Sequence, residues 1–458
     1  MSQGNTFAYL ALLIWPLISL WVYRHKSIQV ATLVTIIGGF LILPVGTFVD
    51  FPLIPPLGKH SMPVLSTIIG CWLIKRQRIK YFTNQGVLQI LVIFLFLGAF
   101  ITAELNTDRV ILAGHFLPAL TMHDATSSTL GIFLTVTPFF IGKQFFRSYQ
   151  DQLLMFRFLA VAGLIYSIPI LYEIRMSPQL HSLFYGYFPH SIIQQRREGG
   201  FRAVVFMGHG LWVAFFSVCV LTVIVTLGQI KEKIYQYSPT ILSYYLLVVL
   251  VLCKSKASLL YGLFAFILIK KTSYNKQLQL AVLLAMLTML YPAMSIMKIF
   301  PHQQIVGLAE SYLGPDRAQS LIFRFDNEQE LLKHARKRFF FGWGGWGRNR
   351  VFDEETGEDI TVTDGHWVIT FGTSGFIGFV AEFGLLAISI FKARAAAKWI
   401  KDKKELTLLA AHTLLISIVM VDQLPNASLA PWLWLLAGIL LGRSEVIISK
   451  NKPKLSVI

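Results

Sequence analysis

Apolar runs long enough to cross a membrane recur from one end of this 458-residue chain to the other. A bilayer core of ~30 Å is crossed by about 20 apolar residues in a helix, so such runs restrict the fold to a bundle of membrane helices. Charged residues make up 14% of the chain, against about 25% in soluble domains. The predicted spans are 6–23, 27–48, 61–74, 86–103, 128–142, 153–172, 204–228, 240–253, 257–270, 278–297, 365–391, 405–421 and 429–442. The chain is therefore predicted to be an all-α polytopic membrane protein.

Two of these spans, 240–253 and 257–270, are short, and only Lys-Ser-Lys separates them. At 1.5 Å per residue each would cover roughly 21 Å of the membrane. This length favours a broken or re-entrant pair, which is tolerated where it lines a cavity in the protein. The sequence thus predicts about 12–13 transmembrane helices.

Basic residues concentrate in every second connection between the spans. These connections are residues 24–26, 75–80, 143–147, 229–233, 270–276 and 392–404, followed by the C-terminal tail with Arg443, Lys450, Lys452 and Lys454. They hold more than half of the 41 Lys and Arg residues but few of the 24 Asp and Glu residues. By the positive-inside rule they are cytoplasmic, which places the C-terminus inside and the loops 104–127, 173–203 and 298–364 outside. Orientation and contact with anionic lipid account for the net charge of +17 without nucleic acid.

The outer loops nevertheless contain many arginines, which offer a permanent charge and a planar fork matched to phosphate oxygens. They are Arg175, Arg196, Arg197, Arg202, Arg317, Arg324, Arg336, Arg338, Arg348 and Arg350. The ordinary interpretation is a solvated loop whose bases pair with the acids of residues 353–359. Arg202 differs because the chain is expected to enter its next span directly after it, which places the guanidinium at the membrane surface.

Arg324 differs because it precedes a predicted amphipathic helix from Asp326 to Phe341. Asp326 and Gln329 fit a capping box, acids fall in the first turn, bases in the last, and Gly342 is a plausible stop. One apolar stripe is expected to lie on the membrane or the bundle: Leu331, Leu332, Ala335 and Phe339. Arg324 would then join a helix N-terminus that already favours anions.

His366 stands at the start of the span that begins "DGHWVITFGTSG", where the outer loop enters the membrane. The ordinary interpretation is a packed or capping histidine at the interface. A histidine can also accept a proton at neutral pH, so it is a candidate general base. Together with two arginines on the same face, it would suffice to move a group off a diphosphate, because cations stabilise the leaving group while the base activates a hydroxyl.

Four segments resemble, in order, the signatures of the O-antigen ligase and polymerase superfamily. They are "FRAVVFMGHGLWVAFF", "CKSKASLLYG", "RFDNEQELLKHARKRFFFGWGGWG" and "DGHWVITFGTSGFIGFVAEFGLL", within residues 195–390. The resemblance implies a GT-C-like fold in the bacterial inner membrane, with one large periplasmic loop. It also implies transfer of a glycan from undecaprenyl diphosphate to a sugar hydroxyl, on lipid A–core or another lipid-linked chain. In that role Arg202 and Arg324 bind the diphosphate and His366 is the base, without a metal or cofactor.

The chain also departs from the family pattern. Lys254-Ser255-Lys256 stands where members often have Ser-Arg-Gly, so Lys254 and Lys256 are further candidates for diphosphate contact, as is Arg197. Trp367 stands where Asn often follows the histidine, which leaves the hydrogen bonding around His366 open. The predicted organisation is an N-terminal bundle (1–194), the ligase-like core (195–391) and the C-terminal helices with a basic tail (392–458).

Two other functions fit parts of the sequence. A lipid-linked glycan flippase or another polysaccharide transporter would share the membrane topology, although transporters tend to show repeats and midplane charges. The segment "GTSG" (372–375) also matches the nucleophile motif of rhomboid-type proteases, with Ser374 as nucleophile and His412 in a later span. Small residues of this kind are common in membrane helices because they allow close packing.

Overall fold

The computed structural model describes residues 4–51, 54–82, 86–112, 115–197 and 199–451. It does not describe the side chains of residues 54, 112, 115, 313 and 317. Among the residues discussed above, Lys452, Lys454 and the Arg317 side chain therefore lie outside the described part of the chain.

The described chain is mainly helical with very little sheet, as the apolar runs predict. Within the described residues, nine helices are long and apolar enough to cross a membrane: α1 (Thr6–His25), α5 (Gly86–Glu104), α6 (Met122–Phe145), α7 (Tyr149–Met176), α10 (Gly210–Gln229), α13 (Tyr274–Ile296), α16 (His366–Ala396), α17 (Lys403–Asp422) and α18 (Pro431–Asn451). Three shorter apolar helices, Ile28–Ile42, Ser61–Ile74 and Pro239–Leu252, accompany them. The prediction of a polytopic all-α membrane protein is confirmed at this level.

The remaining elements are short or lie in the connections. Residues Ile28–Ile42 divide into α2 (Ile28–Leu33), a π-helical turn and α3 (Gly39–Ile42), and Ser61–Ile74 divides into α4 (Ser61–Ile69) and a second π-helical turn. The other helices are α8 (Leu180–Tyr185), α9 (Ile192–Gln195), α11 (Pro239–Leu252), α12 (Lys256–Lys271), α14 (His302–Leu313) and α15 (Pro315–Ala335). Three antiparallel two-stranded pairs are β1 (Phe48–Phe51) with β2 (Ile54–Gly58), β3 (Val110–Leu112) with β4 (His115–Leu117), and β5 (Arg196–Arg197) with β6 (Gly200–Phe201).

Three helices form the centre of the bundle. The most apolar stretches of α10, α17 and α18 are 89%, 83% and 78% buried, whereas those of α1, α5 and α13 are each 33% buried. Helix α18 packs closely on α6 because Gly438 and Gly442 leave no side chain between them. A Cβ at Gly438 would stand 2.0 Å from the Phe139 carbonyl oxygen, so this contact needs the small-residue spacing typical of membrane helices.

Two predicted helix starts are wrong. Helix α10 begins at Gly210 and not directly after Arg202, because residues 202–209 form an irregular segment. This segment ends in His209, whose Nδ1 accepts from the Leu211 amide at 3.0 Å.

Helix α15 begins at Pro315, so Asp326 lies within the helix and is not its N-cap. Gly314, at φ +90°, and the preset φ of Pro315 provide an earlier start. The apolar stripe of α15 is confirmed, since Leu331, Leu332 and Ala335 are buried in the main core.

Helix α16 is interrupted at Gly375, which has φ +67° and ψ −170°. The segment after α15 fills the break like a strand, because the Trp343 and Gly344 amides donate to the carbonyls of residues 372 and 373 at 2.8 Å. A Cβ at Gly375 would lie 2.3 Å from the Phe340 backbone. The two glycine-rich motifs, "FFFGWGG" and "GTSG", are therefore the two sides of one contact, and packing accounts for the second motif.

Candidate active site

One end of the bundle brings together the loops that the sequence predicts to share a face. Glu173, near the end of α7, accepts the Val204 and Val205 amides at 2.7 Å each. Arg336 donates to the Ile296 carbonyl at the end of α13 at 2.6 Å. The segments that hold Arg202, Arg324 and His366 all reach this end, which we call the loop end of the bundle.

Several outer arginines have the ordinary role of loop cations. Arg350 pairs with Asp359 at 2.6 Å. Arg338 and Arg348 both pair with Asp108, at 2.9 Å and 3.3 Å, and the Arg348 side chain is fully buried. Arg338 and Arg348 join the long loop to the loop that follows α5, and Arg350 makes a contact within the long loop, so the role of all three is structural.

Arg202 is buried beside the tip between α11 and α12. Its Nε and Nη2 donate to the Lys254 carbonyl at 3.2 Å and 3.0 Å. Lys254 has a left-handed backbone (φ +53°), and its Nζ donates to the Arg197 carbonyl at 3.0 Å. Lys256 begins α12 immediately after this tip. The structure thus gathers four of the predicted cationic residues where the short helix pair meets the β5–β6 loop.

Arg324 lies in the middle of α15 and not before a helix N-terminus, so the predicted contribution of a helix dipole is wrong. Its Nη1 donates to the Pro425 carbonyl at 3.0 Å, and its Nε lies 3.4 Å from Asp364 Oδ2. Because Asp364 precedes His366 by two residues, this ion pair fixes α15 against the entrance of α16.

His366 forms an acid–base pair with Glu382, which lies beyond the break at Gly375 in α16. Its Nε2 lies 2.9 Å from Glu382 Oε1, while Thr370 Oγ1 donates to Glu382 Oε2 at 2.9 Å. Since a carboxylate accepts, the neutral form of the ring would place its proton on Nε2 and keep a lone pair on Nδ1. Glu382, and not a residue next to the histidine, therefore provides the hydrogen bonding that Trp367 left open. The sequence signal for it was a single acid within an apolar span.

The connection between α17 and α18 joins the histidine to the arginine. The His366 amide donates to the Asn426 carbonyl at 3.0 Å, next to the Pro425 carbonyl that binds Arg324. Asp422 holds this turn, because it accepts from Asn426 Nδ2 at 2.8 Å and from Ser428 Oγ at 2.7 Å. Our sequence reasoning missed Asp422. The polar run "DQLPNAS" between two apolar spans is the signal that could have identified it.

His209 lies within electrostatic range of both arginine segments. Burial lowers the pKa of His209 to about 4, and the electrostatic influence of His190, Arg202, Arg197 and Arg324 adds to the shift. Its ring lies edge-on to that of His190, with 4.7 Å between the centroids. His209 is therefore neutral at physiological pH and stands among the arginines that the sequence selected.

His366 lines two cavities. One of about 240 Å³ is lined by His366 with His60, Trp212 and Ser428. Another, of about 210 Å³, is lined by His366 with Thr370, Ser374 and Glu382 among others. His60 comes from the first half of the chain, where sequence reasoning found only generic spans.

A third cavity lies on the α15 side of this end. Its volume is about 360 Å³, and its wall is mainly apolar apart from Arg324, Glu328 and Asp364. Glu328 accepts from Tyr291 Oη at 3.0 Å and from Ser295 Oγ at 2.9 Å. Burial raises the pKa of Glu328 to about 7.

Comparison with known proteins identifies no relative. No protein-family model matches the chain, and no curated protein or solved structure matches it. The resemblance to the ligase and polymerase superfamily therefore rests on the four quoted segments. Among the described residues, no group of three or more His, Cys, Asp or Glu side chains could hold a metal ion.

The protease interpretation requires Ser374 and His412 to meet. His412 is fully buried in α17, where its Nδ1 lies 3.0 Å from Gln152 Nε2 and its ring packs against Phe156. Ser374 lies beside Thr373 in the interrupted part of α16, with 3.5 Å between the two hydroxyl oxygens. These partners make His412 a packed core residue and do not support a serine–histidine pair.

Proposed function

We propose that this protein is an inverting membrane glycosyltransferase that transfers a glycan from undecaprenyl diphosphate to an acceptor sugar hydroxyl. The observation that supports it most is that the α17–α18 connection links the His366–Glu382 pair to Arg324. His366 is held by Glu382, and its amide binds the carbonyl next to the one that holds Arg324. A base and permanent cations at one site are what transfer from a diphosphate requires.

In the proposed step, Nδ1 of His366 removes the proton of the acceptor hydroxyl. The acceptor oxygen forms a bond to the anomeric carbon of the donor while the bond from that carbon to the diphosphate oxygen breaks. The electron pair leaves with undecaprenyl diphosphate, and attack from the opposite side inverts the anomeric centre. Glu382 orients the imidazole and stabilises its charge after proton uptake, as carboxylates do in catalytic dyads.

Arg202 and Arg324 stabilise the leaving diphosphate, with Lys254, Lys256 and Arg197 nearby. Arginine suits this role because its charge is permanent and its fork binds two phosphate oxygens at once. Because Nδ1 of neutral His209 accepts from the Leu211 amide, its Nε2 carries the proton and can donate a hydrogen bond to a diphosphate oxygen. The apolar cavity beside Arg324 would accept part of the isoprenoid chain.

We further propose that the loop end faces the periplasm and that the C-terminus is cytoplasmic. The three shorter apolar helices and α12 would complete 13 crossings with the nine longer helices, in a GT-C-like arrangement. Residues 298–364 would then form one large periplasmic loop. The ends of three long helices support this alternation, because α7, α13 and α17 end at the loop end and α10, α16 and α18 begin there.

The glycolipid profile of a strain that lacks this protein tests the proposal. Core glycolipid capped with a single repeat would indicate a lost polymerase. Bare core with retained undecaprenyl-linked polymer would indicate a lost ligase. Undecaprenyl-linked glycan trapped on the cytoplasmic leaflet would favour the alternative, a lipid-linked glycan flippase, and an unchanged profile would contradict both.

A further inference from the structure

A cavity of about 430 Å³ lies between α5, α6 and the break in α16. None of the arginines or lysines discussed above lines it. Its wall combines an indole ring with short polar side chains: Trp346, Thr102, Asp124, Ser127, Ser128, Thr373 and Ser374. Gly344 and Gly345 also line it, and a Cβ at Gly345 would meet open space. None of these residues takes part in the transfer step proposed above.

Trp346 is held in place while much of its surface stays accessible. Its side chain is 65% exposed, and its Nε1 donates to Asp124 Oδ1 at 2.9 Å. Asp124 is fixed in turn, because its Oδ2 accepts from the Thr121 amide at 2.8 Å and hydroxyl at 2.6 Å. The backbone of Trp346 is left-handed (φ +60°), which is unusual for a residue with a side chain. The hydrogen bond to the fixed Asp124 thus holds an indole face beside a cavity whose wall mixes hydroxyl-bearing and apolar side chains.

This cavity adjoins the one that contains His366. Ala99, Ile132 and Ser374 line both of them, so Ser374 stands between Trp346 and the His366–Glu382 pair. The chain at Ser374, between the two cavities, packs tightly on Gly378, where a Cβ would lie 2.2 Å from the Ser374 Cβ. A ligand seated against Trp346 could therefore extend one of its groups toward the imidazole.

We infer that the Trp346 cavity binds the acceptor glycan, with one sugar ring stacked on the indole and its neighbouring hydroxyl directed toward His366. The inference rests on the proposed transfer reaction and adds the location and chemistry of its second substrate. An aromatic face with hydroxyl and carboxylate groups suits an uncharged sugar, because the ring C–H groups pack on the indole while the hydroxyls bond to its rim.

The charges near the cavity separate the two substrates. The carboxylate of Asp124 at the Trp346 cavity opposes a phosphate group, whereas the arginines lie near His209 and Pro425. The acceptor and the diphosphate would thus approach His366 from different sides. This arrangement suits a displacement in which the incoming hydroxyl and the leaving oxygen stand on opposite faces of the anomeric carbon.

Saturation-transfer NMR on the full-length His366→Ala protein in nanodiscs tests the inference without turnover. The probe is the lipid-free oligosaccharide that mild acid releases from the surface glycolipid of the source cells. We expect binding that Trp346→Ala weakens by about tenfold and that Trp346→Phe largely restores, since stacking contributes most. Trp399→Ala is the matched control, because this tryptophan is 47% exposed but follows α16 at the opposite end of the bundle.

Kinetics on the active protein then distinguish the two proposals. Trp346→Ala should raise KM for the acceptor about tenfold while KM for the donor stays unchanged. Oligosaccharide binding that is unchanged in Trp346→Ala would contradict the acceptor site but not the transfer reaction. The same conclusion would follow if Trp346→Ala raised KM for the donor and not for the acceptor. Trp346-dependent binding, together with a folded wild-type protein that transfers no glycan, would refute the proposed function and retain the sugar site.

Discussion

Two histidines in consecutive helices of the C-terminal region have opposite surroundings. His366 begins α16, pairs with Glu382 and lines two cavities. His412 lies midway along α17, fully buried against the amide of Gln152 and the ring of Phe156. A histidine in an apolar helix thus gains its role from its hydrogen-bond partner and from whether a ligand can reach it through a cavity. A carboxylate and a cavity fit proton transfer, whereas an amide and an aromatic ring fit packing.

The position of each histidine along its helix explains the difference. The first residues of a helix have amides without partners inside the helix, so His366 can bind a neighbouring turn through its backbone. It uses the Asn426 carbonyl and thereby meets the Arg324 segment. His412 has both backbone groups inside α17, so its side chain can meet only the helices that pack around it.

Replacing each histidine with alanine should have the largest effects, on turnover for His366 and on stability for His412. We expect His366→Ala to lower kcat by ~10²–10⁴-fold with donor affinity retained, because a general base is lost. His412→Ala should keep kcat close to that of the wild type but lower the free energy of unfolding by about 1–3 kcal/mol, since a buried amide loses its partner. Turnover and thermal unfolding of purified protein measure both effects. Equal losses of turnover in the two variants would remove the distinction.

Two arginines allow a similar test on the charges. Arg324→Ala should raise the donor Kd by roughly 10–150-fold, the equivalent of one charge-assisted hydrogen bond. Arg324→Lys should recover part of this loss, because lysine keeps the charge and loses the fork. Arg443, which pairs with Glu405 at the other end of the bundle, is the matched control. Arg443→Ala should lower the Tm and leave donor binding intact, and weaker donor binding in that variant would contradict a localised diphosphate site.

A smaller effect should follow the protonation of Glu328. Its pKa of about 7 lies above the usual carboxyl range, so the folded protein favours the protonated form. The stability that it contributes is greatest in acid and is lost as the pH rises through about 7. We expect the Tm of the wild type to fall between pH 5.5 and 8.5 by roughly 2–4 °C more than that of Glu328→Gln. Parallel Tm curves would show that Glu328 does not link α15 to α13 in this way.

The spans and the apolar stripe of α15 could be predicted because they depend on local composition and period. The break at Gly375 could not, because it needs the segment at Phe340 as its partner. The predicted start of α15 is wrong because Asp326 and Gln329 have the spacing of a capping box, whereas the helix begins earlier, at Gly314 and Pro315.

The site was predictable only in part for the same reason. Arg202, Arg324 and His366 stood out by charge at the edges of apolar runs. Asp422 and His60 did not, because they gain meaning only when helices distant in sequence pack together. Glu382 did not either, because it meets His366 only across the break at Gly375 within α16. The roles of all six residues in glycan transfer stay a prediction.

The most direct measurement follows both products in one reaction. Purified protein in nanodiscs receives the undecaprenyl diphosphate-linked glycan and the acceptor glycolipid of the source cells. The account predicts equal amounts of glycan-coupled acceptor and released undecaprenyl diphosphate, an unchanged yield in the presence of EDTA, and loss of both products in His366→Ala. A folded His366→Ala protein that forms both products at the wild-type rate would contradict it.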